Sequence, residues 1–494
     1  PPAIVARLAA ALDRPAAPLA VRDLRAGQHR HPGDLWVNLL LAQRLAWGGR
    51  PAEAVEYGRA ALAVRPGSAP LWGNLASTLA QATRFTEAEA AARRAVAIDP
   101  DDGLANYHLA HALAAVRRFA EAEPAARRAA SLLGEDWKAL YLLGHVLTQV
   151  GRLPESVDAL SRSVVLNPEY APARHRLAIA LSRQGRLPEA EAAGRRAVAL
   201  DPHHAQSHFD LGVILHRRGN LPESEAAFRR SGELKPTDAN AFANLGLTLM
   251  DQHKAGEAEA AYRRAIEIDP ALLHAHFNLG VLLNNSGRVT EGEAAHRRAI
   301  AARPDFAPAH FNLGLSLCRQ DRLPEAEVAF RRAAELNPGG FEGHFFLGRV
   351  LADLRRGPEA EAAFRRALDL DPRHAEAHCR LGHLLQQRGA YPEAATAFRT
   401  GHDLGVRRPD WRLPSADWVR TAERLAALDA RLGEVLAGKG GQADAAERRR
   451  LAEFCLRSKP LPFPLGPVFA AALLAEGRPF EGSGPRPGEG VRRK

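Results

Sequence analysis

A proline returns every 34 residues: Pro32, Pro66, Pro100, then Pro168, Pro202, Pro236, Pro270, Pro304, Pro338 and Pro372. The one gap in the series is filled by Gly134, which also stops helices. A fixed period of this length marks a row of supersecondary units that cannot bury their apolar faces singly and must stack. With that proline numbered position 32, units begin at residues 1, 35, 69 and so on to 375. Position 7 is usually Leu, as in Leu211, Leu245, Leu279, Leu313, Leu347 and Leu381. Position 8 is Gly144, Gly212, Gly246, Gly280, Gly314, Gly348 or Gly382 in seven units, and Ala42, Ala76, Ala110 or Ala178 in four. Positions 20 and 27 are always Ala, Ser or Gly from residue 35 to 408. Side chains this small let two helices of a unit approach closely, where a larger one would overpack the contact.

The punctuation agrees. Gly151, Gly185, Gly219, Gly287 and Gly389 stand where a first helix should end in a left-handed cap. Pro154, Pro188, Pro222, Pro324, Pro358 and Pro392 follow three residues later, at the expected first position of a second helix. This placement explains 41 Gly and 34 Pro in a chain that is 46% hydrophobic and 25% charged, a folded rather than disordered balance.

Period, small positions and stop signals together resemble the tetratricopeptide repeat, a helix–turn–helix unit of this length. The resemblance covers residues 35–408 as eleven units, with 1–34 as a degenerate first unit. It implies an all-α fold: a right-handed α-solenoid superhelix of about twelve units, with first helices lining a concave groove and second helices forming the back. In that family positions 2, 5, 6 and 9 face the groove. Position 6 holds Asn244, Asn278 and Asn312 in consecutive units, preceded by Asp210. The Asn run is similar to the ladder with which the repeats of O-GlcNAc transferase hold polypeptide main chains, since an amide offers both donors and an acceptor. Phe209, Phe277, Phe311 and Phe345 at position 5 are expected to add apolar contacts for a partner's side chains. The family's chaperone-tail clamp needs Lys at position 5, which is never Lys from residue 35 onward. The expected partners are therefore other proteins or peptides.

Other functions are excluded more directly. The chain is basic, with a net charge of +10, and Arg pairs recur at positions 25 and 26, for example Arg93-Arg94 and Arg331-Arg332. Glu stands four residues before the first Arg of these pairs, as in Glu89 and Glu327, in the orientation that favours a helix-surface ion pair. The stripe is self-neutralised, so no nucleic-acid partner is expected. No apolar run is long enough to span a membrane. Cys318, Cys379 and Cys455 include no CxxC pair, so neither a disulfide framework nor a zinc ribbon is expected. His208, His276, His310, His344 and His378 all occupy position 4, too far apart between units to share a metal. The pairs His204/His208 and His374/His378 lack a third ligand. No P-loop, nucleophile elbow or kinase signature occurs. The sequence is therefore read as non-catalytic, without metal or cofactor, and cytoplasmic.

Beyond residue 408, Trp418, Leu425, Leu428, Leu432 and Val435 recur at helical spacing, and a second helix is expected near 443–457. Residues 409–458 are read as connector and capping helices, and 459–494, rich in Pro, Gly and Arg, as a disordered tail. The flanks Gln28–Ala42 and Gly401–Leu432 resemble those of tetratricopeptide tails of large bacterial serine/threonine kinases, in which the catalytic domain precedes the repeats. That likeness implies a rival role, the partner- or substrate-recruiting part of a kinase or, by the Asn run, of a glycosyltransferase.

Overall fold

The computed structural model describes residues 18–437, 443–457 and 470–471. The expected tail (459–494) lies outside them except for 470–471, as do the first 17 residues of the expected degenerate first unit. The described residues hold 25 α-helices and no strand. They divide into two compact units, Pro1–Ile268 and Asp269–Lys494. Each is a stack of helical hairpins in which a first helix packs against the second helix of its own repeat and a second helix against the next repeat. The fold is an all-α solenoid, as the period requires.

One repeat shows how the sequence builds the hairpin. Its first helix, Ala307–Arg319, and second helix, Leu323–Leu336, are joined by three residues. Position 15 takes a positive φ in every such turn. It is Gly at Gly49, Gly151, Gly185, Gly219, Gly287 and Gly389, but Thr83, Arg117, His253, Asp321 and Arg355 hold the same conformation. Thr83, at φ 59°, is β-branched and the most strained of these. Thr83→Gly is expected to raise stability by about 1 kcal/mol, read as slower hydrogen exchange in helices Ala69–Gln81 and Phe85–Ile98. Unchanged exchange there would show that the strain is relieved elsewhere. The prolines of the second helices stand at the second helical residue, as Pro324 in Leu323–Leu336, one place later than expected. That place is still in the first turn, where a missing N–H costs no intrahelical bond.

In seven repeats a large side chain of the second helix is seated on a glycine of the first. Position 24 is Leu160, Phe228, Tyr262, His296, Phe330, Phe364 or Phe398 in the seven repeats with Gly at position 8. A Cβ added at Gly314 would lie 2.7 Å from Phe330, and one at Gly348 would lie 2.8 Å from Phe364. Where position 8 is Ala, position 24 is Gly58, Ala92, Ala126 or Gly194. The two positions share one volume, divided two ways.

The back of the stack is a chain of ion-pair rings. Glu293 pairs with Arg297 of its own helix, Arg297 with Glu325 of the next repeat, Glu325 with Arg322, and Arg322 again with Glu293. The same ring closes through Glu89, Arg93, Glu121 and Arg118, and through Glu327, Arg331, Glu359 and Arg356. The Glu at position 21 sits half under the surface between two guanidiniums, with 4% side-chain exposure at Glu293 and 13% at Glu89. The basic stripe is thus tied into the contact between repeats, which goes beyond the i, i+4 neutralisation expected from sequence.

After the last repeat, helices Ser415–Leu436 and Ala445–Arg457 share an apolar cluster of Leu425, Leu432, Leu451, Phe454 and Cys455 with Tyr391 of the last repeat. No helix among the described residues is long and apolar enough to cross a membrane.

Candidate functional site

The first helices carry the candidate groove residues. In the first compact unit, Asp210 lies on Ala205–Arg217 and Asn244 on Ala239–Asp251. In the second, Asn278 lies on Leu273–Asn285 and Asn312 on Ala307–Arg319. The Nδ2 of Asn244 donates to the Asn240 carbonyl at 2.9 Å, and that of Asn312 to the Pro308 carbonyl at 3.0 Å. Each bond spends one of two amide N–H groups on the residue's own helix. Asp210 is held differently: its Oδ2 accepts from Nε2 of His175 at 2.7 Å and from Nε2 of Gln206 at 3.2 Å.

The position 5 phenylalanines belong more to the core than the sequence suggests. Phe209 packs edge-on against Phe228, Phe277 against His296 and Phe306, and Phe311 against Phe330 and Phe346. These three are half-buried. Phe311 also lines a cavity of about 280 Å³ with Pro308, Asn337 and Glu342. Phe345 is only 4% exposed and sits among Phe341, Phe346, Phe364 and His374. As placed it offers a partner no apolar surface, because the Phe341 and His374 rings cover it.

The histidines have structural work. At position 4 the side chain of most repeats donates a hydrogen bond to the punctuating proline. Nε2 of His208, His276, His310 and His378 meets the carbonyls of Pro202, Pro270, Pro304 and Pro372 at 3.1, 2.9, 2.9 and 2.9 Å. Asn38, Trp72, Asn106 and Arg174 make the same bond to Pro32, Pro66, Pro100 and Pro168. Across these eight repeats the chemistry varies while the bond recurs, because a carbonyl at a helix end lacks an intrahelical partner; Leu140 and Phe242 at the same position have no side-chain N–H to offer. His204 and His374 are helix N-caps, whose Nδ1 accepts from the backbone N–H of Ser207 and Ala377. Among the described residues no three His, Cys, Asp or Glu side chains come together as a metal site. Burial raises the Cys379 thiol to about 12, far from a nucleophile's range.

Models of one family match residues 107–171, 175–239, 244–305, 285–341 and 346–401, and a second model of that family matches 48–114; both describe a tetratricopeptide repeat. The chain belongs to the tetratricopeptide repeat family. Its functional class is the family's, a scaffold for protein interaction. No curated protein matches this tetratricopeptide protein. Among solved structures, YrrB, described as a tetratricopeptide protein with an unusual peptide-binding site, is 21% identical over 38% of this chain and 96% of its own, with a TM-score of 0.33. Pseudomonas aeruginosa pilF is 20% identical over 42% of this chain and 92% of its own, with a TM-score of 0.38. Yeast Tom70 is 16% identical over 83% of this chain and 99% of its own, with a TM-score of 0.35.

Proposed function

We propose that this tetratricopeptide protein is a non-catalytic scaffold that binds extended polypeptide segments along its first helices. The observation that carries this reading is the recurrence of a primary amide at position 6 of three successive first helices, each amide half-exposed rather than packed into the core. An amide with one N–H bonded to its own helix keeps a second N–H and two carbonyl lone pairs. A row of them matches the alternating donors and acceptors of an extended main chain, whatever its sequence. Half-buried Phe209, Phe277 and Phe311 add apolar edges, and such contacts accumulate over repeats by avidity. Peptides selected from a random library on the parent protein are expected to bind Asn278→Ala/Asn312→Ala at least tenfold more weakly, and Asn244→Ala several-fold more weakly. Equal affinity for every selected peptide, measured by calorimetry, would end the proposal. The second reading, the recruiting part of a serine/threonine kinase, rests on the flanks Gln28–Ala42 and Gly401–Leu432. An in-frame catalytic domain in the coding DNA upstream of Pro1 would support it.

A further inference from the structure

A polar cavity of about 460 Å³ opens in the first compact unit, lined by three consecutive first helices: Trp137–Gln149, Ala171–Arg183 and Ala205–Arg217. Its size falls in the usual range for a ligand site. Charges of both signs line it: Arg176 and Arg183 on one helix, Asp210 on the next, and Asp201 on the loop between repeats. Arg176 and Asp210 both occupy position 6, in adjacent repeats. They do not neutralise each other: Asp210 pairs with His175, and Arg176 makes no ion pair among the described residues. This contrasts with the back of the solenoid, where Arg and Glu close into rings.

The carboxylate of Asp210 is fixed before any partner arrives. His175 supports it from below, with 11% side-chain exposure, and Gln206 supports it from the side. Arg183, two turns along the same helix as Arg176, is pinned by a 3.0 Å bond to the Thr148 carbonyl and adds a second fixed guanidinium to the lining. A pocket that carries a guanidinium without an ion pair and a carboxylate already fixed in place favours a ligand with one charge for each. Preorganised charges pay little to be ordered on binding, so they contribute to selection.

The spacing sets the ligand. Packed helices stand about 8–10 Å apart. An extended chain rises about 3.3 Å per residue, so that gap is about three residues. We infer that this pocket selects an extended peptide bearing an acidic side chain for Arg176 and a basic side chain for Asp210, about three residues apart. The inference rests on the groove reading above and adds to it a sequence preference.

The test uses fluorescence anisotropy on the full chain. The probes are labelled nine-residue Gly/Ser peptides carrying Glu and Lys at separations of one to six, in both orders. Glu-only, Lys-only and uncharged peptides are the references. One order at a separation near three is expected to bind at least tenfold tighter than the uncharged probe, with the advantage shrinking at 0.3 M salt. Arg176→Gln and Asp210→Asn should each remove that advantage, so that the charged and uncharged probes bind each variant alike. The double reversal Arg176→Asp/Asp210→Arg should favour the opposite order, an outcome that loss of folding cannot mimic. Affinity indifferent to separation and order would overturn the inference. If uncharged probes still bound in an Asn-dependent way, the groove reading would survive that result. If no probe bound at all, both would fall.

Discussion

Gly314→Ala is expected to destabilise the protein in the parent background and to stabilise it when Phe330 is also Ala. The reversal follows from the volume shared by positions 8 and 24. In the parent a new Cβ would lie 2.7, 2.8 and 2.9 Å from three atoms of the Phe330 ring, which is fully buried and has nowhere to turn. Overpacking of this kind costs about 1–3 kcal/mol and outweighs the roughly 1 kcal/mol gained by replacing a helical glycine. Phe330→Ala alone should cost about 3–5 kcal/mol, because it empties the ring's site. In that background the Gly314→Ala methyl meets space, as Ala76 meets Ala92 in the protein's own third repeat, and the helix-propensity gain remains. Nearest-neighbour stability makes a global melt a poor gauge of one repeat. Hydrogen exchange over Ala307–Arg319 and Leu323–Leu336 reports the cycle directly. Additive effects of the two substitutions would refute the shared-volume account.

This pairing also marks the limit of what the sequence discloses. The repeat, the helical hairpin and the left-handed turns at Gly151 and Gly389 follow from period and punctuation alone, because each depends on local backbone chemistry. That position 8 is small is equally visible. That its partner is position 24 is written in the chain too, in Gly314 with Phe330 against Ala76 with Ala92, but a period does not say which residues meet across a hairpin. The donor at position 4 is hidden for another reason: Asn38, Trp72, Arg174 and His276 share no size, charge or hydropathy, only an N–H within reach of a proline carbonyl. The candidate groove is less legible still. Phe345 has the register of Phe277 and Phe311, yet Phe341 and His374 roof it over, and neither lies at a groove-facing position. The Arg–Glu rings needed the neighbouring repeat, since two of their four bonds cross from one repeat to the next.

Acid is expected to loosen the repeat at 273–306 before its aromatic-filled neighbours, and His296→Phe is expected to remove much of that weakness. His296 occupies position 24, where Phe330, Phe364 and Phe398 stand in the following repeats, and its side chain is fully buried over Gly280. Asn284 Nδ2 lies 3.3 Å from His296 Nε2 and donates to Ser316 Oγ at 2.7 Å, while His296 Nδ1 and Asn284 Oδ1 have no partner. Desolvation by burial lowers the imidazole to about 4, from an ordinary value of 6.5. The unfolded chain therefore takes up a proton near pH 6.5 that the native repeat refuses until about pH 4. Stability from this group is complete above 6.5 and falls as pH drops toward 4, by about 1.4 kcal/mol per pH unit and roughly 3 kcal/mol in all. Phenylalanine fits the same seat, removes the orphaned Nδ1, and leaves Asn284 its bond to Ser316. At pH 7 the variant is expected to gain about 1 kcal/mol. At pH 5 the gap should widen to about 3 kcal/mol, because only the parent pays the proton-linked cost. The readout is hydrogen exchange of Leu273–Asn285 and Val289–Ala302 at the two pH values, corrected for intrinsic rates. A variant-to-parent difference that stays constant with pH would show that His296 takes up its proton as readily in the folded repeat as in the unfolded chain, with Asn284 or a water supplying what burial takes away.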